Sequence, residues 1–194
     1  IKDPFAVFSI SWFASKLNCK VVILVRHPAA FASSLKRLNW PFDFHDLLQQ
    51  PLLMRDHLEP YREEMSLIKS DDILGQAALL WNTIYRSIHS ICERHPDFIV
   101  VRHQDLARDP INGYRTLYAS LGLEFTPRVE KIVQDSTSSG NPAELSKRKM
   151  HSVKLDSLAS IGNWKKSLTE AEIKRVRKMT EEVSHLYHFD SEWP

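Results

Sequence analysis

Arg26 stands where a cation can do chemistry. It ends the apolar run from Lys20 to Val25 and is followed by His27-Pro28 and a helical stretch, Ala29 to Leu38. Five successive Val, Ile and Leu residues predict a strand buried on both faces, as in a parallel sheet under helices. Pro28 suits the first turn of the next helix, where its missing N–H would have no partner in any case. Ligands of open α/β sheets bind just beyond the carboxyl ends of strands. A fixed guanidinium beside a helix N-terminus at that place is an anion site. The same side chain could instead pair with a carboxylate and lock the strand-to-helix turn. The local pattern leaves both readings open.

Other residue types that often carry chemistry are less pointed. His27 reads as a structural hydrogen-bonding residue. His185 and His188 lie three apart on the last helix with no third ligand nearby, so they read as surface residues and no metal is expected. Cys19 and Cys92 have neither metal-ligand spacing nor a disulfide framework, which suits a reducing compartment.

The elements that must position Arg26 follow from periodicity. Residues 5–17 read as a helix, 20–25 as a strand and 29–38 as a helix. Residues 46–61 read as short helical pieces punctuated by Pro51 and Pro60. Ile73 to Arg94 is the longest periodic segment, with Leu80, Ile84, Ile88 and Ile91 on one stripe, Asp71 or Asp72 as cap and Pro96 as stop. Trp81 and Tyr85, one turn apart on it, read as core. Phe98 to Val101 reads as a second buried strand, leading to Arg102-His103-Gln104-Asp105-Leu106. Asp109-Pro110 opens a helix over 110–121, and Thr126-Pro127 opens another. Residues 136–163 read as loop, and Thr169 with Glu172 forms a capping box before the final helix.

The chain has 194 residues, 43% hydrophobic and 26% charged, which suits one soluble domain over 1–194 with a sizeable core. No run of about 18 apolar residues occurs, so no membrane span is expected. The net charge of +2 is unevenly placed: residues 140–178 carry 10 basic against 4 acidic side chains. A local excess of that size suits a phosphorylated ligand better than a nucleic-acid track. Lys174, Arg175, Arg177 and Lys178 read as a solvated helix face. Lys147, Arg148, Lys149 and Lys154 sit in a loop rich in Ser, Gly and Pro. Only five glycines occur, none adjoining another, and no Gly-x-x-x-x-Gly-Lys-Ser/Thr is present. A loop that wraps phosphates with backbone N–H groups needs such residues.

Lys2 opens the chain before Asp3-Pro4, Arg26 follows 24 residues later, and Ser34 lies 8 residues beyond Arg26. With the phrase Asn18-Cys19-Lys20, this arrangement resembles the sulfotransferase family, which moves a sulfonate group from 3′-phosphoadenosine 5′-phosphosulfate (PAPS) to an acceptor. The wording from Arg26 to Trp40 is closer to a bacterial branch of that family. The resemblance runs from Ile1 to about Tyr187. It implies an α/β fold: a P-loop-NTPase-like parallel sheet flanked by helices, helix-rich, with the first βα unit and its phosphosulfate loop missing. The chain is then expected to be the C-terminal part of a larger cytoplasmic enzyme and inactive alone.

The resemblance also implies roles. Arg26 and Ser34 match the family's contacts to the nucleotide 3′-phosphate, and a guanidinium fork with a nearby hydroxyl can chelate one phosphate. His103 takes the place of a tyrosine near the adenine, in a stretch similar to the family's Tyr-Glu-Asp-Leu, where Asp105 reads as a local cap. Gly162 to Thr169 resembles the family's Gly-Asp-Trp-Lys…Thr segment, with Trp164 either core or site. In the basic loop before it, Leu155 stands where bacterial relatives carry arginine, and Lys154 or Arg148 could substitute. Lys2 matches the lysine that serves the leaving group. Pro4 replaces the histidine base of cytosolic members, which leaves as candidate bases Asp3, the nearest, and a carboxylate in the expected missing N-terminal part. Trp40, Phe42 and Phe44 could line an acceptor pocket or pack as an ordinary loop. The implied partners are PAPS and a small-molecule or glycan acceptor, through a hydroxyl or amine, without nucleic acid. Two other readings remain: a non-catalytic interaction domain that keeps the scaffold, and a P-loop nucleotide kinase, for which the Gly-Lys-Ser/Thr loop is not seen.

Overall fold

A computed structural model of the protein describes residues 6–144 and 154–194. Lys2, Asp3, Pro4 and the basic residues Lys147, Arg148 and Lys149 therefore lie outside the described residues. The chain runs through a 3-10 turn at Ala6–Ser9 into α1 (Ile10–Leu17), then β1 (Val22–Val25) and α2 (Pro28–Leu38). Short helical pieces follow: α3 (His45–Leu48), α4 (Pro51–Leu53), further turns from Met54 to Tyr61, and α5 (Arg62–Leu67). The long helix α6 (Ile73–Arg94) leads to β2 (Ile99–Arg102). Four helices complete the middle of the chain: α7 (His103–Arg108), α8 (Pro110–Leu121), α9 (Pro127–Thr137) and the one-turn α10 (Ser157–Ser160). The one-turn α11 (Trp164–Ser167) and α12 (Glu170–His185) close the order.

β1 and β2 pair in parallel, with Val22 opposite Ile99 and Val25 opposite Arg102. A parallel pair needs a long crossover, and residues 26–98, with α2 and α6, supply it. The result is a helix-rich α/β fold around a small parallel sheet, as expected. One expectation needs correction. Ile23 and Val25 are buried, but Val22 and Leu24 are exposed, so β1 is covered on one face among the described residues. The uniform apolar run reflects strand propensity and gives no information on which face the helices cover.

The covered face sets the core. Ile23 and Val25 pack with Trp81, Tyr85, Ile88 and Ile91 of α6 and with Val183, Tyr187 and Phe189 from α12 and the segment after it. The stripe read from the sequence is therefore the sheet-facing side of α6. A second cluster joins Ala29, Ala30 and Ala32 of α2 to Leu74 and Ala77 of α6, Ile173 and Val176 of α12, and Trp164 and Trp193. Small alanines on α2 let the three helices approach closely, as interdigitated packing requires.

Caps fix the helix ends. Asp72 accepts from the Gly75 N–H at 3.0 Å to start α6, and it also receives Arg175 Nη1 of α12 at 2.9 Å. The Thr169–Glu172 capping box starts α12. Asn39, at φ +53°, ends α2 in the left-handed conformation that asparagine tolerates. After α12 the chain turns back across β2. Arg102 donates to the His188 carbonyl at 2.9 Å, lies 4.6 Å over the Phe189 ring and pairs with Glu192. This brings Phe189 and Trp193 down beside His27.

Candidate active site

Arg26 follows the last residue of β1, and its carbonyl accepts from the Trp81 indole N–H at 2.8 Å. The Tyr85 hydroxyl donates to the Leu24 carbonyl at 3.2 Å, so two side chains of α6 hold the end of the strand. His27 is fully buried as the N-cap of α2, and its Nδ1 accepts from the Ala29 N–H at 3.2 Å. That bond leaves the imidazole proton on Nε2, which has no hydrogen-bond partner among the described residues. The ring stacks on Trp164 at 4.8 Å and meets Phe189 at 5.1 Å and Trp193 at 4.4 Å. His27 is thus the structural residue expected, and it sets the angle at which Arg26 leaves the strand.

Arg26 points into a cavity of about 180 Å³. Ser33, Ser34 and Arg37 of α2 line one wall, His103 and Gln104 of α7 another, and Leu155 to Trp164 a third. Of the residues singled out from sequence, the structure brings together Arg26, Ser34 and His103. It does not bring Lys154 there. Lys154 is exposed and does not line the cavity, whereas its neighbour Leu155 does. The backbone decides this, because the Leu155 N–H bonds the Ser136 carbonyl at 2.9 Å and the Asp156 N–H the Pro142 carbonyl at 2.9 Å.

No carboxylate pairs with Arg26 among the described residues. Burial holds its pKa below the ordinary guanidinium value, and the nearby Arg37 charge adds to this, partly opposed by Tyr85. An unpaired, half-buried guanidinium beside a like charge is costly without an anion. The Ser34 hydroxyl is likewise without a hydrogen bond among the described residues. Ser33 is engaged, at 2.8 Å from the Ser167 hydroxyl. His103 is held below its ordinary pKa by burial and then by the Arg26 charge.

Among the polar lining residues that the sequence reading did not single out are Ser33, Arg37, Gln104 and the carboxylate Glu144. Arg37 lies three residues after Ser34, so the two share a helix face, and that spacing was the available signal. Its Nε lies 3.2 Å from Glu144. Asp105, read as a cap, instead faces Arg102 at 3.6 Å and Arg108 at 3.4 Å. Trp164 is both core, at 3% exposure, and cavity wall. Phe44 is buried as ordinary packing predicts, while Trp40 is exposed.

The buried His27 gives a pH prediction. Burial, reinforced by the charges of Lys165 and Arg102, lowers its pKa from 6.5 to about 3. Between those values the unfolded chain takes up a proton that the folded protein refuses, so stability falls as pH drops from 6.5 toward 3. His57 and His103 are shifted in the same direction and add to the trend. Denaturant midpoints at pH 7, 5.5 and 4 should fall less steeply in His27→Asn, which keeps an N-cap acceptor, than in the parent. Equal slopes would show that His27 protonates in the folded state.

Fold and site together define an α/β domain with a cavity, lined by Arg26 and Arg37, at the carboxyl end of a parallel strand. The sulfotransferase-domain family model matches residues 5–188. The chain therefore belongs to the sulfotransferase family. Among curated relatives, carbohydrate sulfotransferase 5 of Mus musculus is 26% identical over 168 residues, covering 84% of this chain and 40% of its own length. Carbohydrate sulfotransferase 2 of Homo sapiens is 26% identical over 188 residues, covering 84% of this chain and 33% of its own length. The chain thus spans between a third and two fifths of the length of these relatives. They are vertebrate proteins and do not bear on the nearness to a bacterial branch. No solved structure gives a significant match.

Proposed function

We propose that this domain supports sulfonyl transfer from PAPS to a hydroxyl of a glycan acceptor, and that its described cavity takes the 3′-phosphate of the nucleotide. The observation that carries the reading is the unpaired Arg26 guanidinium beside the unbonded Ser34 hydroxyl and Arg37 in one cavity. Their chemistry fits a phosphate: a fork of N–H donors, a hydroxyl donor and a second cation. Relatives named carbohydrate sulfotransferases support the glycan acceptor.

In the reaction the acceptor oxygen attacks sulfur, the bond from sulfur to the 5′-phosphate oxygen breaks, and the acceptor proton passes to a base. 3′-Phosphoadenosine 5′-phosphate (PAP) leaves. The cavity contributes by holding the far end of the donor so that sulfur is presented in line. Lys2 as the cation for the leaving phosphate and Asp3 as the base belong to the proposal and rest on the sequence resemblance.

Calorimetric titration of the full-length protein with PAP, and with 5′-AMP as control, tests the reading. PAP should bind at least tenfold more tightly, because only it carries the 3′-phosphate. Equal or absent binding would overturn the cofactor assignment.

A further inference from the structure

Gln104 is the second residue of α7 and only 1% exposed, yet it lines the same cavity as Arg26 and Ser34. Its Oε1 is buried and has no hydrogen-bond partner among the described residues. A buried carboxamide oxygen left unpaired costs free energy comparable to a lost hydrogen bond, so such groups mark missing partners. The partner must be a donor. A dianionic phosphate monoester cannot supply one, since its ionised oxygens only accept, and the neighbouring cavity groups Arg26, Ser34 and Arg37 already suit the phosphate. The ligand that satisfies the whole cavity therefore carries an anion and, beside it, an N–H or O–H.

We infer that Gln104 is a specificity residue of the nucleotide site, its Oε1 accepting a hydrogen bond from the nucleoside part of the ligand. This inference rests on the cofactor reading above. Two donors of PAP have the required chemistry: the exocyclic amine of the base and the 2′-hydroxyl next to the 3′-phosphate. His103, adjacent in sequence and lining the same cavity, is placed to face the base. Arg26 would then hold the nucleotide as an anion, and Gln104 would read its nucleoside part.

The experiment compares full-length parent and Gln104→Leu, which keeps most of the volume and removes the acceptor. Three ligands are titrated: PAP, its 2′-deoxy analogue and the analogue in which purine without the amine replaces adenine. Gln104→Leu should weaken PAP binding about tenfold, in the range of one hydrogen bond. With the analogue that lacks the relevant donor, parent and variant should bind alike, and this identifies which donor is used. An undiminished affinity for PAP, or the same loss with all three ligands, would overturn the inference and make Gln104 a packing residue. If Gln104→Leu does not fold, the parent alone decides: equal affinity for all three ligands is then the contrary result. Failure of the cofactor reading is separate, because it shows as no preference of the parent for PAP over 5′-AMP.

Discussion

Replacing Arg26 by leucine should remove the preference for the 3′-phosphorylated nucleotide while leaving the fold as stable as before, or more so. The two halves of this expectation have one cause. Arg26 has no acidic partner among the described residues, and burial and Arg37 both act against its charge. An uncompensated buried cation destabilises the free protein, so an apolar side chain of similar size relieves that cost. The same guanidinium, once a phosphate arrives, makes charge-assisted hydrogen bonds worth about 1.5–3 kcal/mol. Arg26→Leu should therefore bind PAP about 10–100-fold more weakly and 5′-AMP about as before. Arg26→Lys should recover only part of the loss, since an ammonium lacks the planar fork. The check is calorimetry with both nucleotides beside denaturant melts of all three proteins. A variant that loses stability and keeps its preference for PAP would mean that Arg26 serves the strand-to-helix turn, leaving an interaction scaffold as the better reading.

That prediction draws on what the sequence made legible and on what it did not. Arg26 could be placed because a strand and a proline at the first helical turn mark its position, and Ser34 because its place eight residues further on resembles the family pattern. Arg37 shares a helix face with Ser34, but a cation near the end of a helix is so common on solvated faces that it did not stand out. Gln104 was hidden for another reason. α7 is six residues long, too short to show a period, and it forms under tertiary contacts rather than from propensity. α10, one turn within the segment read as loop, was missed for the same reason. The excess of basic residues falls in 140–178, yet none of the described basic residues of that stretch lines the cavity. It could not say that Leu155, rather than Lys154, would line the cavity, since that follows from two backbone hydrogen bonds. The buried face of β1 likewise depends on where α6 and α12 lie, which a uniform run of Val, Ile and Leu does not encode.

The largest effect on stability is expected at Trp81, where core and site meet. The side chain is fully buried in the cluster that joins β1, α6 and α12, with Tyr85 4.7 Å away, ring centre to ring centre. Trp81→Ala should cost about 3–5 kcal/mol, the range for removing a large aromatic from a packed core. The informative variant is Trp81→Phe. It keeps most of the apolar volume but removes the indole N–H that holds the Arg26 carbonyl at 2.8 Å. That carbonyl sits between the last residue of β1 and the His27 cap, so its loss of a partner costs about 1–3 kcal/mol and frees the turn that aims the guanidinium. Trp81→Phe should thus weaken PAP binding several-fold although residue 81 does not line the cavity, and 5′-AMP binding should change little. Denaturant melts and the two titrations separate the effects. If Trp81→Phe loses stability with unchanged PAP affinity, then the α2 helix and the His27 cap suffice to position Arg26, and the indole serves the core alone.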